Sequence, residues 1–421
     1  MTALPLVDGI SRSRIGIIAP FDLELDREYW QFVPEAVSVH ITRTGHVAAP
    51  VGVELAEAVA DADEMVRATG SLLMARPGVI AYACTSGSFT SGLAGERQLR
   101  ETIEQAGAAQ AVTTSGALLD ALAALGVERL GIGTPYTDEL AGRLREFVAE
   151  AGYQPVSLVS MGLEGDIAAV QRQRVLELAA RADRPEADAV FLACTNLPTF
   201  DLIGVLEAQL GKPVLTANQV TMWAALRAIG CEPAPSVAGQ RLFVAAPDAA
   251  HPSQQRVRGS AADKGVTLEI VTFAESTHTA ADAARVIGAE LGQIVKSLVF
   301  VSPEADGPGA VIALVCGTDR VDIGLLGKAV GRDGLRRASA EEAARASGYV
   351  IGGLPPFGHR EPLPVVMDPG LFRYRELWAA AGTPTAVFRI APETLQQLAA
   401  ALVAPCAVAG GSVPTRPGEP S

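Results

Sequence analysis

The chain has few cysteines, and they carry no pairing signature. Five stand in 421 residues, with no CxxC and no cysteine–histidine cluster. A disulfide framework and a structural zinc site are therefore not expected. The chain also lacks a basic surplus. Asp and Glu outnumber Lys and Arg by 47 to 34, for a formal net charge of −13. That balance disfavours non-specific adsorption to nucleic acid or membrane, so any RNA contact must come from a local basic patch. Long apolar runs are missing too: VIALVC (311–316) is of strand length and far too short to span a bilayer. The opening stretch MTALPLVDGISRSRIGIIAP has no apolar segment after a basic one, so no secretion signal is expected. The expectation is a cytoplasmic protein with reduced thiols and no membrane partner.

What is present is apolar material in quantity, 49% against 19% charged, enough for more than one core and inconsistent with disorder. In the first part, short apolar runs alternate with longer amphipathic ones. Strands are expected at 14–20, 78–84, 110–115, 129–135, 189–194 and 212–217, and helices between them, such as 116–126 and 137–152. Gly126, Gly152 and Gly211 follow helical stretches as terminators. Strands alternating with helices predict a parallel sheet covered on both faces. From about 234 to 262 the composition turns to Pro, Ala, Ser and Gln, which reads as a linker. Beyond it the pattern changes: a helix at 280–292, strands at 297–302 and 311–316, a short helix at 324–330, then strands near 349–351 and 364–367. That mixture suggests α+β. The expected layout is an α/β domain over 10–235 built of two similar parallel-sheet halves, a linker over 236–262, a separate α+β domain over 263–404 and a disordered tail over 405–421.

The two halves are suggested by an internal repeat. Ala-Tyr-Ala-Cys-Thr-Ser (81–86) and Phe-Leu-Ala-Cys-Thr-Asn (191–196) share a strand, an Ala-Cys-Thr and a polar turn. Each half thus presents one thiol at the carboxyl end of a strand, the edge at which open α/β sheets bind ligands. A thiol works as a base or nucleophile only when it ionises near neutrality, and a helix N-terminus after the strand lowers its pKa. Two thiols on opposite faces of a small acid can remove a proton on one side and return it on the other. Alternatively, one adds to an activated double bond while its partner donates a proton. No metal or organic cofactor is required. A lone cysteine after a strand is more often an inert core residue; the repeat argues for Cys84 and Cys194 as a catalytic pair. Cys231, Cys316 and Cys406 lack that setting and read as packing residues.

RIGIIAP (14–20), YACTSGS (82–88), TTSGALLDALAALGVERLGIGTPYTDEL (113–140) and LACTNLPTFDLI (192–203) together resemble the maleate cis-trans isomerase and arylmalonate decarboxylase branch of the aspartate/glutamate racemase superfamily, over roughly residues 10–232. In that branch isomerases and racemases keep both cysteines and decarboxylases only the second, so the resemblance implies an isomerase or racemase of a small carboxylic acid. By motif Cys84 is the implied nucleophile and Cys194 its acid/base partner. Thr85, Ser86, Thr195 and Asn196 would offer donors to substrate carboxylates, and Tyr136 matches a tyrosine that hydrogen-bonds carboxylate or enolate oxygen. Where maleate isomerases carry a Ser-Ser-Asn turn after the first strand, this chain has Pro20, Phe21, Asp22 and Leu23. An ionised Asp22 would repel a carboxylate, which favours a substrate with a neutral or cationic group there, such as an amino acid or a hydantoin. The alternative is that Asp22 caps a helix starting near Glu24. Decarboxylase-like and ectoine-utilisation roles stay open, as does a homodimer.

The second domain carries THTAADAARVIGAELGQIVKSLVF (277–300), CGTDRVDIGLLGKAVG (316–331), GYVIGGLPPFGH (348–359), PVVMDPGLF (364–372) and WAAAGTPTAVFRIAP (378–392). Over 275–398 it resembles the YbaK/ProX-type aminoacyl-tRNA editing domain. The resemblance implies hydrolysis of an aminoacyl ester, a reaction needing chiefly positioning and stabilisation of an oxyanion. Lys296 matches the family lysine and is flanked by apolar residues, an unusual place for an idle charge. Gly352, Gly353 and Pro355 match its Gly-x-x-Pro loop, and Asp368 an acid near the pocket or, alternatively, a turn cap. His359 reads as a loop residue and His278 as lying near a helix start. Arg320, Lys328, Arg332, Arg336 and Arg337 form the basic patch an RNA backbone would need, or a solvated helix face. Two further readings stay open: a second domain that only binds or interacts, and a live deacylase with a metabolite-sensing first domain.

Overall fold

A computed structural model describes residues 13–245, 251–273, 279–302 and 309–409. The chain divides into two compact units, with the boundary at Pro252.

The first unit is a duplicated α/β structure. Its first half runs β1 (Ser13–Ala19), α1 (Asp26–Phe32), β2 (Val37–Arg43), α2 (Val53–Ala58), α3 (Ala62–Leu73), β3 (Val79–Tyr82), α4 (Thr85–Phe89), α5 (Gly92–Gln105), β4 (Ala111–Thr113) and α6 (Thr114–Leu125). The second runs β5 (Arg129–Thr134), α7 (Asp138–Glu150), β6 (Gln154–Ser160), α8 (Arg172–Ala182), β7 (Ala189–Leu192), α9 (Ile203–Leu210), β8 (Val214–Thr216) and α10 (Ala217–Ala228). The sheets have the same order, β2-β1-β3-β4 and β6-β5-β7-β8, and every pairing is parallel. The inner strands β3 and β7 are buried throughout, as a parallel sheet covered on both faces requires. Gly126 and Gly211 close α6 and α9 in the left-handed conformation at φ 67° and 68°. The outer strands β2 and β6 were not expected from the sequence. They are partly exposed, and Pro155 inside β6 argues against a strand except at an edge.

The second unit runs α11 (Pro252–Ala262), β9 (Ile270–Thr272), α12 (Ala280–Ile287), β10 (Val295–Val301), β11 (Ala310–Cys316), β12 (Asp319–Val321), α13 (Ile323–Val330), β13 (Arg336–Arg337), α14 (Ala340–Ser347), β14 (Val365–Met367), β15 (Leu377–Ala380), β16 (Ala386–Ile390), α15 (Pro392–Ala399), β17 (Leu402–Val403) and β18 (Ala407–Ala409). Its main sheet is mixed, in the order β13-β10-β11-β14-β17, with a second sheet β15-β16-β9 and the pair β12-β18.

Four expectations are corrected here. The segment 236–262 is not a free linker: Val237 and Leu242 are buried in cores of the first unit, and residues 252–262 form α11, whose Val257 and Ala261 enter the core of the second. Chain order also extends past 405, because Cys406 is fully buried and 407–409 pair with β12. The strand expected near 349–351 is a turn, entered from Gly348 at φ 79°. The helix expected over 280–292 stops at Ile287, capped by Gly288 at φ 75°. The remainder of the expected tail, 410–421, and His278 lie outside the described residues.

Candidate functional site

Because the halves are equivalent, Cys84 and Cys194 each stand two residues beyond an inner strand, β3 and β7. Both line one small cavity of about 40 Å³, together with Asp22, Thr85, Ser86, Tyr136, Thr195 and Asn196. The structure thus brings together all eight residues singled out in the first domain. Val51, Leu55 and Val59 cover the cavity from one half and Ile167 from the other. The covers touch, with Val51 N–H donating to the Glu164 carbonyl at 2.9 Å.

The two thiols have different local settings. Cys84 is the N-cap of α4 in ordinary extended conformation, φ −138°, and its sulfur accepts from Gly87 N–H at 3.4 Å and lies 3.7 Å from Ser86 Oγ. Ser88 Oγ locks this turn, donating to the Cys84 carbonyl at 2.7 Å and lying 2.7 Å from Ser115 Oγ. Cys194 has no helix after it: turn residues follow, then a short 3-10 segment from Phe200. Its φ of +89° is a left-handed value that a non-glycine residue adopts only under strain. The expectation that a helix terminus would lower both thiols is therefore corrected. Burial pushes Cys84 up, against the opposing hydrogen bonds from Gly87 and Ser86. Burial pushes Cys194 up to about 12, against hydrogen bonds from Asn196 and Tyr136. Burial thus favours the thiol form at both sulfurs.

Asp22 caps no helix: α1 begins at Asp26, with Leu25 at its N-cap and no side-chain cap bond. Its carboxyl, raised by burial, faces the cavity. The loop carrying it is pinned from two sides. Asn196 Nδ2 donates to the Asp22 carbonyl and Asn196 Oδ1 accepts from Glu24 N–H, both at 2.9 Å. Arg43 Nη1 donates to the carbonyls of Phe21 and Leu23 at 3.0 and 2.7 Å. Asn196, expected as a substrate ligand, lines the cavity and also pins the Asp22 loop. Thr85 Oγ1 is buried on the cavity wall, close to the Tyr136 hydroxyl.

Three supporting residues escaped the sequence reading. Buried Glu28 accepts from Thr199 and Phe200 N–H at 3.1 Å and from Asn218 Nδ2 at 2.8 Å. Asn218 Nδ2 also reaches the Thr195 carbonyl at 3.0 Å. These bonds hold the turn after Cys194. Fully buried Tyr29 leaves its hydroxyl unpartnered, close enough to both thiols that their charge would raise it. The only sequence signal was polarity at otherwise apolar positions.

The second unit holds a larger cavity, about 320 Å³, between β10, α12, β15 and the loop after α14, within the usual range of small-ligand sites. Lys296 on β10 lines it, half-buried, with Nζ donating to the Asp319 carbonyl. Burial lowers its pKa, with Asp319 opposing. Asp319 is itself held by Arg373 at 3.2 Å. Gly352 lines the cavity at φ +89°, whereas Gly353, Pro355 and Asp368 do not. Gly353 is packed against the backbone of Thr383, where a Cβ would come within 2.7 Å of its carbonyl carbon. Pro355 is buried, its carbonyl 3.0 Å from His359 Nε2, so His359 is a loop residue as expected. Both oxygens of Asp368 are engaged by backbone donors. Its Oδ1 accepts from Gly370 N–H at 2.8 Å, and its Oδ2 accepts from Cys406 and Ala407 N–H at 2.9 Å. Of the basic residues, Arg337 reaches the cavity, while Arg336 pairs with Glu342 at 2.6 Å.

Two like parallel-sheet halves, each giving one thiol to a shared cavity, define a domain of the aspartate/glutamate racemase type, followed here by a mixed-sheet editing domain. Residues 52–243 match the arylmalonate decarboxylase family and residues 274–398 the aminoacyl-tRNA editing domain. The chain is 34% identical over 156 residues to the arylmalonate decarboxylase of Bordetella bronchiseptica, covering 36% of this chain and 65%, just under two thirds, of the relative. It is 30% identical over 176 residues to the maleate isomerase of Geobacillus stearothermophilus, covering 40% and 70%. It is 31% identical over 136 residues to the multifunctional Ser/Thr-tRNA deacylase ProXp-y of Escherichia coli, covering 31% and 78%. The chain belongs to the maleate isomerase and arylmalonate decarboxylase family in its first unit and to the aminoacyl-tRNA editing family in its second. Among the described residues, no helix is long and apolar enough to cross a membrane.

Proposed function

We propose that the chain is a cofactor-independent two-cysteine isomerase or racemase of a small carboxylic acid, joined to an aminoacyl-tRNA deacylase. The observation that carries the first half is the convergence of Cys84 and Cys194 on one cavity. Cys84, which stands at the N-terminus of α4 with Gly87 N–H 3.4 Å from its sulfur, acts as thiolate: it takes a proton from the substrate or adds to its double bond. Cys194, held as a thiol, delivers a proton on the other face, and Tyr136 steadies developing negative charge on oxygen.

In the second unit the Lys296 ammonium holds the ester or its terminal phosphate, and water or a group of the substrate attacks the carbonyl. The apolar wall formed by Ile294, Leu298 and Trp378 accepts a small uncharged side chain. This reading places the chain in the cytoplasm, where charged tRNA is used and thiols stay reduced.

The test incubates the intact chain with maleate, amino acids and hydantoins, and separately with Ala-, Ser- and Cys-charged mismatched tRNAs. Turnover of an acid that disappears in Cys84→Ala and Cys194→Ala, and deacylation that disappears in Lys296→Ala, are the expected results. No turnover of any acid by the intact chain would remove the first activity, and deacylation indifferent to Lys296 would remove that assignment.

A further inference from the structure

The cavity between the two thiols contains an unusual balance of charge. Among the described residues, neither lysine, arginine nor histidine lines it, and the one formal charge on its wall is the carboxylate of Asp22. No salt bridge reaches that carboxylate among the described residues: Arg43 favours its charged form from a distance but directs its Nη1 to the Phe21 and Leu23 carbonyls. The loop is fixed by Asn196 and Arg43, so Asp22 cannot easily swing away. Its charge is felt by both sulfurs and opposes ionisation of each. The same wall carries the buried hydroxyls of Thr85 and Tyr136, with Ser86 beside them. That is a neutral donor set for one carboxylate.

We infer that Asp22 selects the substrate class, and that the first site takes a small zwitterion carrying one carboxylate and one protonated nitrogen, rather than a dicarboxylate. This rests on the two-thiol reading above and narrows it. The carboxylate lies against Thr85, Ser86 and Tyr136, and the ammonium pairs with Asp22. A dianion would set its second carboxylate against Asp22 in a site shielded from water, where like charges repel strongly. It would also drive both thiols further from ionisation. A cation does the reverse: it neutralises Asp22 and favours the Cys84 thiolate.

The reaction that follows is inversion at the carbon between the two groups. Cys84 thiolate takes the Cα proton, and the C–H electron pair moves into the carboxylate as an enediolate. Cys194 gives its S–H proton to the opposite face. The product is the mirror-image acid, with Cys84 left as thiol and Cys194 as thiolate, and the reverse reaction resets the pair. No oxidant, reductant or further reactant enters.

The test is proton NMR of the intact chain in D₂O. Alanine and serine are compared with aspartate, maleate and a hydantoin, using wild type, Asp22→Asn, Asp22→Ser and Cys84→Ala. Wild type is expected to exchange the Cα proton of the neutral amino acids with at least tenfold higher kcat/KM than it shows on aspartate or maleate. Cys84→Ala abolishes the exchange. Each Asp22 variant lowers kcat/KM for the amino acids at least tenfold, mainly through KM, and narrows or reverses the preference over dicarboxylates. The second variant guards against one that fails to fold, as judged from its melting curve. Cysteine-dependent turnover confined to maleate, aspartate or the hydantoin would leave the two-thiol reading standing and overturn this one. So would a preference unchanged by either Asp22 variant. No turnover of any acid removes both readings together.

Discussion

Cys84 and Cys194 occupy the same position in the two halves of one duplicated domain and line one cavity, but their backbones differ: φ is −138° at the first and +89° at the second. A left-handed residue with a side chain carries strain of about 1–3 kcal/mol, which glycine relieves. Both glycine and alanine delete the sulfur, so the difference between the two variants isolates the backbone. At position 194, Cys194→Gly should be more stable than Cys194→Ala by about 1 kcal/mol. At position 84 the order should reverse, with Cys84→Gly the less stable. Denaturant melts of the four variants measure this, and alanine as stable as glycine or more so at position 194 would show that Cys194 carries no such strain.

The cavity thiols also set a pH dependence. Cys194 titrates at about 12 when folded, against about 8.5 for a free thiol. Its raised pKa means the native state keeps a proton that the unfolded state releases. The associated stability is therefore complete below about pH 8.5 and is lost as pH rises towards 12. The melting temperature of wild type should fall over that window, and Cys194→Ser, which has nothing to ionise there, should fall less steeply. Cys84 and the buried tyrosines Tyr29, Tyr82 and Tyr136 are raised as well, so the slope is reduced, not abolished. Parallel curves for the two proteins would contradict the assignment.

The duplication was legible because it is written twice. Ala-Cys-Thr recurs behind two apolar runs, and β3 and β7, buried on both faces, leave no other reading of those runs. The edge strands β2 and β6 were not legible, because partial exposure blurs their pattern. The sign of the thiol shift was missed for a different reason. A strand-to-helix turn suggests a lowered pKa, but desolvation is set by what closes over the site, here Val51, Leu55, Val59 and Ile167 from distant stretches of chain. In the second unit, Lys296 could be found from its apolar neighbours. That Asp368 and Gly353 serve the scaffold could not, since their partners are about 40 and 30 residues further along.

Glu28 shows how far the support of the first site extends. Its carboxylate satisfies three buried donors, Thr199 N–H, Phe200 N–H and Asn218 Nδ2. Each donor stranded in the interior costs about 1–3 kcal/mol. Glu28→Ala should therefore destabilise by roughly 3 kcal/mol or more, with Glu28→Gln, which keeps one acceptor oxygen, losing clearly less. Because the same bonds hold the turn after Cys194, Glu28→Gln should also lower kcat of the first activity while leaving deacylation unchanged. Equal stability of the alanine variant and wild type would show that these three bonds contribute nothing.

Lys296 on β10 and Gly353 in the loop after α14, both expected at the second site, have different settings. Lys296 lines the cavity and Gly353 does not. Lys296→Ala removes an ammonium that sits where ester or phosphate charge would lie, and electrostatic groups of that kind are worth about 10²–10³ in rate. Its burial is partial and its contact a single backbone carbonyl, so the fold should lose little. Gly353→Ala works the other way. The new Cβ would lie within 2.7–2.9 Å of the Thr383 backbone, and backbone cannot rotate aside as a side chain can. Overpacking of that kind costs about 1–3 kcal/mol. The expected pattern is deacylation lost with near-normal melting in Lys296→Ala, and lowered melting of the second unit in Gly353→Ala, with turnover at the first site intact in both. Melting unchanged in Gly353→Ala would mean the loop has room to give, and would return that glycine to the list of substrate contacts.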